Sequence, residues 1–576
     1  MNRADMKEPL CLKDSVGELA ENIRKNWLIG LRQSNPAILD MFHERDRKPY
    51  RDLLPWSGEF AGKYITGAYY MYQLGRDPSL YQYILDFLEE LLACIDEDGY
   101  AGCYQRQCRL TGAFSQTPEK TGETWDAWSH YHIMIGLLLW YRETGDRRCL
   151  EAVERIAGLF LRSFYHGGKR LADIGSTEMN LAPIHIFGLL YRETGKAEYL
   201  DFAENIVEDL SLPEAGDYIR YSLSGLAFYQ CPKPRWESLH IIMGLAALYH
   251  AVGKEEYRQT AENVFYSILE TDVHNTGAFS TNEQAIGTPF SSGSIELCCV
   301  IAYNALACEV FRWTKDPRIP DFLELSLYNA VMGSFSPSGN WSTYSTPMDG
   351  EKKASRHEIV FQARPGSPDL NCCSANSARG IGMLSEWAVT EEGDTLYLNY
   401  YGDFTCETAS GVKIRVSGGY PARNTVSVRL ESQSVRRVAF RIPSWSVRTM
   451  VWDGEREVPV KAGSYWVTER VWDGRELRIV FDFTVRTLCG EGECAGKLSV
   501  YAGPILYGYD LSLGSPYGLE DVPDLAVPVK AMAAPEHGSE GRLLLCLEDG
   551  LTLCDFYHLG MTGSAYRTWL PYREDA

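Results

Sequence analysis

Two stretches of this chain, residues 281–298 and 371–373, hold the side chains best suited to chemistry. Glu283 and Glu296 come first, with Cys298 two positions after Glu296, and Cys372 and Cys373 stand adjacent far downstream. A thiolate is both a metal ligand and a strong nucleophile. Glu296, Cys298, Cys372 and Cys373 together supply one oxygen and three sulfurs, a donor set that suits a tetrahedral zinc ion. Glu283 lies outside that set and is free to move a proton. Spacing alone does not decide the matter. Glu-x-Cys followed by Cys-Cys is not a zinc-ribbon pattern, and many of the 16 cysteines read as small buried hydrophobes.

The elements that must position these residues are helices. A phrase recurs through the first two thirds: Tyr72-Gln-Leu-Gly-Arg-Asp77, Trp140-Tyr-Arg-Glu-Thr-Gly145-Asp146, Leu190-Tyr-Arg-Glu-Thr-Gly195-Lys196 and Leu248-Tyr-His-Ala-Val-Gly253-Lys254. A weaker copy is Phe311-Arg-Trp-Thr-Lys-Asp316. Each copy follows an apolar run at helical spacing and precedes another, as a helix ending on a left-handed Gly, a tight turn and the next helix would. A period of this length fits helical hairpins set around a ring or along a solenoid. The long inserts between copies carry the aromatics and the candidate residues, which favours a ring with its site loops on one face. Five copies plus a hairpin near the cysteines predict six hairpins, an (α/α)6 toroid over residues 1–388. Past Trp387 the pattern alternates with period two, as in Thr395-Leu-Tyr-Leu-Asn-Tyr400 and Val438-Ala-Phe-Arg-Ile442. This predicts a β-sandwich domain over 389–510, with 511–576 as its terminal extension.

The order Glu283…Glu296-Leu-Cys298-Cys299, Leu327-Tyr-Asn-Ala-Val331, Tyr344-Ser-Thr-Pro347 and Cys372-Cys-Ser-Ala-Asn-Ser-Ala-Arg379 resembles the cysteine-dependent β-L-arabinofuranosidase family. That resemblance implies a retaining glycoside hydrolase with an (α/α)6 barrel followed by β-sandwich domains. By motif match it makes Cys372 the nucleophile and completes a Zn²⁺ shell with Glu296, Cys298, Cys372 and Cys373. It gives Glu283 the acid-then-base role and sets Tyr344 beside the thiolate. It also places His132 at a substrate contact. Trp128 and Trp236 are further candidates for sugar binding. The regions of Glu178-Met-Asn180 and Arg235-Trp236-Glu237-Ser-Leu-His240 are where the family has more sugar-contacting histidines, and no clear match is read there. Glu283 stands a few residues closer to Glu296 than the family pattern leads one to expect, with Glu309 and Glu324 as poor substitutes.

A net charge of −21 argues against nucleic-acid binding, which needs a cationic surface, and gives no support for docking on anionic membranes. The N-terminal residues lack an apolar signal core and no window reads as a membrane span. Scattered cysteines in a long chain fit reduced thiols, hence a cytoplasmic expectation. The expected partner is an oligosaccharide or glycoside, with a homodimer left open. The expected activity is release of a terminal sugar, β-L-arabinofuranose first, from plant-type glycans. Alternatives are the same chemistry on another furanose-like, branched or acidic sugar, or a non-catalytic sugar-binding protein with a structural zinc. An epimerase or lyase using His130 and His132 is a third reading.

Overall fold

A computed structural model describes residues 6–51, 53–117, 120–166, 168–355, 370–514 and 516–574. Six helices stand in a ring: α1 (Glu59–Gly75), α2 (Asp126–Thr144), α3 (Pro183–Thr194), α4 (Ser238–Val252), α5 (Leu297–Thr314) and α6 (Cys372–Gly382). Each packs on the next, and α6 packs back on α1. Turns lead from the first five to outer helices Pro78–Ala93, Arg147–Ser163, Ala197–Asp209, Glu255–Thr271 and Arg318–Ser326. This is the expected (α/α)6 barrel. Its sixth pair is not a hairpin in sequence, because the helix packed outside α6 is Ser15–Ile23 from the N-terminal region.

The recurring phrase ends the inner helices as its chemistry dictates. Gly145, Gly195 and Gly253 cap α2, α3 and α4 in the left-handed conformation, at φ of 72°, 70° and 71°. That conformation costs a residue with a Cβ roughly 1–2 kcal/mol. Asp77 and Asp146 then start the outer helices by accepting from the backbone N–H of Leu80 and Arg148. Outer helices are amphipathic; Arg147–Ser163 turns Leu150, Val153, Ile156 and Phe160 inward. Inner helices are apolar almost all round and buried, as ring members must be. The inner helix α5 is long and apolar enough to cross a membrane, yet most of it is buried inside the barrel. At Gly62 the backbones of α1 and α2 approach so closely that a Cβ would lie 2.2 Å from the His132 carbonyl carbon.

The last α-helix ends at Trp387, and from Val389 onward the regular elements are almost all strands. Two nine-stranded sheets follow. The first is built on the long antiparallel pair Thr425–Ile442 and Ser464–Val480, and at its edge Met6–Leu12 pairs with Phe404–Thr408. The second joins Lys497–Ala502 and Ile505–Asp510 to Thr552–Asp555 and Leu570–Glu574. Strands on both sides of residue 510 thus share one sheet. Arg441 locks the first sheet to the barrel: its fully buried guanidinium pairs with Asp321 at 2.5 Å and Glu324 at 2.6 Å on an outer helix. Removing one partner of such a buried pair costs about 3–5 kcal/mol. Glu324 is therefore a structural carboxylate and not a substitute acid.

Candidate active site

The N-terminal ends of the inner helices converge on one point. Cys372 is the first residue of α6, and Asn371 before it caps the helix by accepting from Ser374 N at 2.9 Å, while its own N–H donates to Ser374 Oγ at 3.0 Å. Glu296 is the N-cap of α5 and Cys298 lies in its first turn. A short strand, Ser294–Glu296, pairs with Ser345–Pro347 and sets Glu296 opposite Ser345, which brings Tyr344 to the same spot. Helix N-termini favour negative charge, so thiolates and a carboxylate gain there from both the dipole and the free N–H groups.

The four donors Glu296, Cys298, Cys372 and Cys373 are all buried, with ligand atoms within 4.8 Å of one another. Cys373 Sγ lies 3.3 Å from Glu296 Oε1, 3.6 Å from Cys298 Sγ and 3.9 Å from Cys372 Sγ, and Cys372 Sγ lies 3.8 Å from Glu296 Oε1. All four cysteine and carboxylate positions expected from the sequence are thereby brought together. Metal–sulfur bonds of about 2.3 Å in a tetrahedron separate the vertices by about 3.8 Å. The measured edges match that shape, and the sulfurs are free thiols rather than disulfides. The residues fit a metal ion.

Charge makes the same case. Burial opposes ionisation of Cys298, but hydrogen bonds from Cys372, Cys373 and Asn376 and the charge of Lys63 hold its thiol well below the ordinary range. Burial and the negative charge of Cys298 push Cys372, Cys373 and Glu296 well above theirs. The single ammonium present, Lys63 Nζ, sits 3.6 Å from Cys298 Sγ and is shared with Glu59 at 2.9 Å. One cation cannot neutralise the group, and a divalent metal held there would supply what is missing.

Tyr344 Oη lies 3.5 Å from Cys372 Sγ, as expected, and burial with the nearby sulfur and carboxylate charges keeps its phenol protonated. His132 is buried with Nε2 lacking a hydrogen-bond partner, and Trp236 Nε1 is likewise unpartnered. Both atoms lie on the same wall of buried aromatic rings, where the His132 ring meets those of Trp128 and His240. Trp128 departs from its expected role. It is fully buried, its indole N–H bonds Glu59, and its faces pack on His132, His240 and Trp236. It is a wall behind the site, not an open stacking surface. Histidines not matched from sequence are present here: Tyr131 Oη bridges His240 Nδ1 at 2.8 Å and His185 Nδ1 at 2.9 Å. His130 is structural, since Nδ1 faces Asp126 O at 2.7 Å and Nε2 accepts from Ala101 N at 3.0 Å. That removes the pair of bases an epimerase or lyase would use.

Glu283 sits in a left-handed turn at φ 59° with its side chain 40% exposed. Arg235 holds it at 2.7 Å and also pairs with the buried Glu237 at 2.8 Å. The backbone carbonyl of Glu283 accepts from Trp236 N at 3.0 Å, tying the turn to the start of α4. Its charge, like that of Glu237, helps raise the pKa of Glu296. Glu309 is far from the thiols along α5 and pairs with Arg312. Sequence reasoning assigned no role to Glu59, Lys63, Arg235 or Glu237. The i,i+4 Glu59/Lys63 pair and the Arg-x-Glu spacing were the available signals.

The sequence model of the β-L-arabinofuranosidase GH127 catalytic domain matches residues 18–386, and that of the GH127 middle domain matches residues 395–484. No curated protein matches the chain. Among solved structures, a GH127 β-L-arabinofuranosidase from Geobacillus stearothermophilus T6 superposes with a TM-score of 0.77 at 18% identity, covering 98% of this chain and 100% of the other. A second GH127 β-arabinofuranosidase gives a TM-score of 0.78 at 18% identity, covering 99% of this chain and 98% of its own. The helical barrel with its cluster of sulfur and carboxylate donors, the sheets behind it and both domain matches lead to one conclusion: the chain belongs to the GH127 β-L-arabinofuranosidase family of glycoside hydrolases.

Proposed function

We propose that this enzyme is a retaining exo-glycosidase that releases terminal β-L-arabinofuranose from plant-type glycans, with Cys372 as nucleophile and zinc held by Glu296, Cys298, Cys372 and Cys373. The observation that carries the reading is the buried four-donor cluster centred on the first residue of α6. Bound there, zinc would keep the thiols deprotonated at neutral pH.

The chain's own residues do the rest. Cys372 Sγ attacks the anomeric carbon while Glu283 gives its proton to the glycosidic oxygen; the C–O bond breaks and its electron pair leaves with that oxygen. In the second half Glu283 takes a proton from water, the water oxygen bonds the anomeric carbon, and the C–S pair returns to Cys372. Arg235 fixes the Glu283 carboxyl at the mouth of the site. Tyr344 donates toward the Cys372 sulfur as it regains charge. His132 Nε2 and Trp236 Nε1 take sugar hydroxyls.

The test is turnover of p-nitrophenyl β-L-arabinofuranoside with intact-mass spectrometry and zinc quantification, for wild type, Cys372→Ser and Glu283→Gln. The expected result is nitrophenol release by wild type, a glycosyl adduct on Cys372, and a loss of about 10³-fold or more in Cys372→Ser. Bound zinc with no turnover would move the substrate to another sugar. Neither zinc nor turnover would overturn the proposal.

A further inference from the structure

The recurring phrase at the ends of the inner helices has a role in turn formation, but its basic residues point to something else. In the last turn of α2, α3, α4, α5 and α6 stand Arg142, Arg192, His250, Arg312 and Arg379. Five of the six inner helices thus place a basic residue in the last turn, and the barrel end opposite the thiol cluster carries four guanidinium groups, with burial lowering the pKa of His250 below 6.5. Cations at helix C-termini are ordinarily explained by the macrodipole, at about 0.3–1 kcal/mol each.

The pairing of these groups shows that this explanation is incomplete. Arg142 meets Glu193 at 2.9 Å and Arg312 meets Glu386 at 2.7 Å; Arg312 also holds Glu309. Glu143 is taken by Arg76, whose guanidinium comes from outside the ring. Arg192 and Arg379 form no ion pair among the described residues. Arg379 is only 8% exposed, and its Nε is buried without a hydrogen-bond partner. Both side chains line a cavity of about 380 Å³ together with Arg142, Arg312 and His185. A water molecule occupies roughly 30 Å³, so the cavity has room for a small ligand and its hydration.

The charges facing the cavity are four guanidinium groups, Arg142, Arg192, Arg312 and Arg379, and four carboxylates, Glu143, Glu193, Glu309 and Glu386. With Arg76 engaged on Glu143, one positive charge is left over. A buried guanidinium without a counterion is strongly disfavoured, and its planar fork matches two oxygens of one acid group. We infer that this end of the barrel binds a small oxyanion, a carboxylate or inorganic phosphate, between Arg379 and Arg192. The inference does not depend on the glycosidase reaction.

The experiment is calorimetric titration of the full chain as purified with sodium phosphate and, separately, sodium acetate at constant ionic strength, with thermal unfolding on the same samples. The expected result is saturable binding at one site and a rise in Tm of about 2 °C. Tighter binding of phosphate or of acetate identifies which oxyanion the site prefers. Arg379→Gln should abolish the binding, Arg379→Lys should weaken it at least about tenfold by losing the fork, and Arg192→Gln should weaken it as well. Circular dichroism and Tm without added anion report whether each variant is folded. If Arg379→Gln does not fold, Arg192→Gln, whose side chain is at the exposed rim, carries the test. No saturable binding of either anion by wild type, or undiminished binding by folded Arg379 and Arg192 variants, would overturn the inference.

Discussion

The two ends of the barrel are made from the same six helices and have opposite chemistry. At the N-terminal end, N–H groups and positive dipole ends meet a buried set of anionic donors, Glu296, Cys298, Cys372 and Cys373. At the C-terminal end, carbonyls and negative dipole ends meet Arg142, Arg192, Arg312 and Arg379. The lesson is that a ring of parallel helices is polar as a whole, and side-chain charge is sorted to suit it. The connections differ for the same reason. Tight turns such as Thr194-Gly195-Lys196 close the basic end, and the long segments that carry Glu283, Tyr344 and Arg235 belong to the thiol end.

Four perturbations probe that contrast. Removing the metal with a chelator should have the largest effect: turnover falls to background and returns with added zinc, and Tm drops by about 5 °C as buried thiols and carboxyl regain protons. Hydrogen exchange should quicken around Glu296–Cys299 and Asn371–Asn376 yet stay unchanged at the Tyr191–Lys196 turn. Equal quickening at both ends would mean that they unfold as a unit.

Arg235→Gln frees Glu283 from the 2.7 Å pair that positions it. Turnover should fall by about 10–10²-fold while Tm and zinc content stay near wild type, whereas a fall that only tracks a lowered Tm would mean that Arg235 acts through stability alone. His185 lies between the ends, and burial followed by the charges of Arg379, Arg312 and Arg142 lowers its pKa to about 3 from 6.5. Below pH 6.5 the unfolded chain binds the proton that folded His185 refuses, so stability falls with falling pH, by about 1.4 kcal/mol per pH unit. In His185→Gln the fall in Tm between pH 7 and 5 should be smaller than in wild type; an unaltered fall would show that His185 is not the group responsible. Gly195→Ala is the mildest. At φ 70° the added Cβ meets no atom within 4 Å, so the loss is the conformational term of about 1 kcal/mol, and kcat should stay within twofold of wild type.

Much of this was legible beforehand where the cause is local. Helix ends followed from Gly145, Gly195 and Gly253, and the outer-helix starts from Asp77 and Asp146, because capping involves only a few consecutive residues. The donor set was legible from the residue types and from the resemblance of the motifs around Glu296, Cys298, Cys372 and Cys373, not from spacing alone. Trp128, a candidate for sugar binding from the sequence, is walled in because exposure depends on what packs against it; here those are Glu59, His132, His240 and Trp236. His185 went unread and His240 was seen but not matched, because the two converge through Tyr131 from three different helices.

Residue order by itself determined the helical period, the turns between hairpins, the change to strands after Trp387 and the types of side chain available for catalysis, all of which arise from short-range sterics and hydrogen bonding. Only the tertiary structure decided that Ser15–Ile23 packs outside the last inner helix, that strands on either side of residue 510 share a sheet, and that Arg235 clasps Glu283 and Glu237 together. These are contacts between segments far apart in the chain, chosen by which faces can be buried against one another, and no local pattern encodes them.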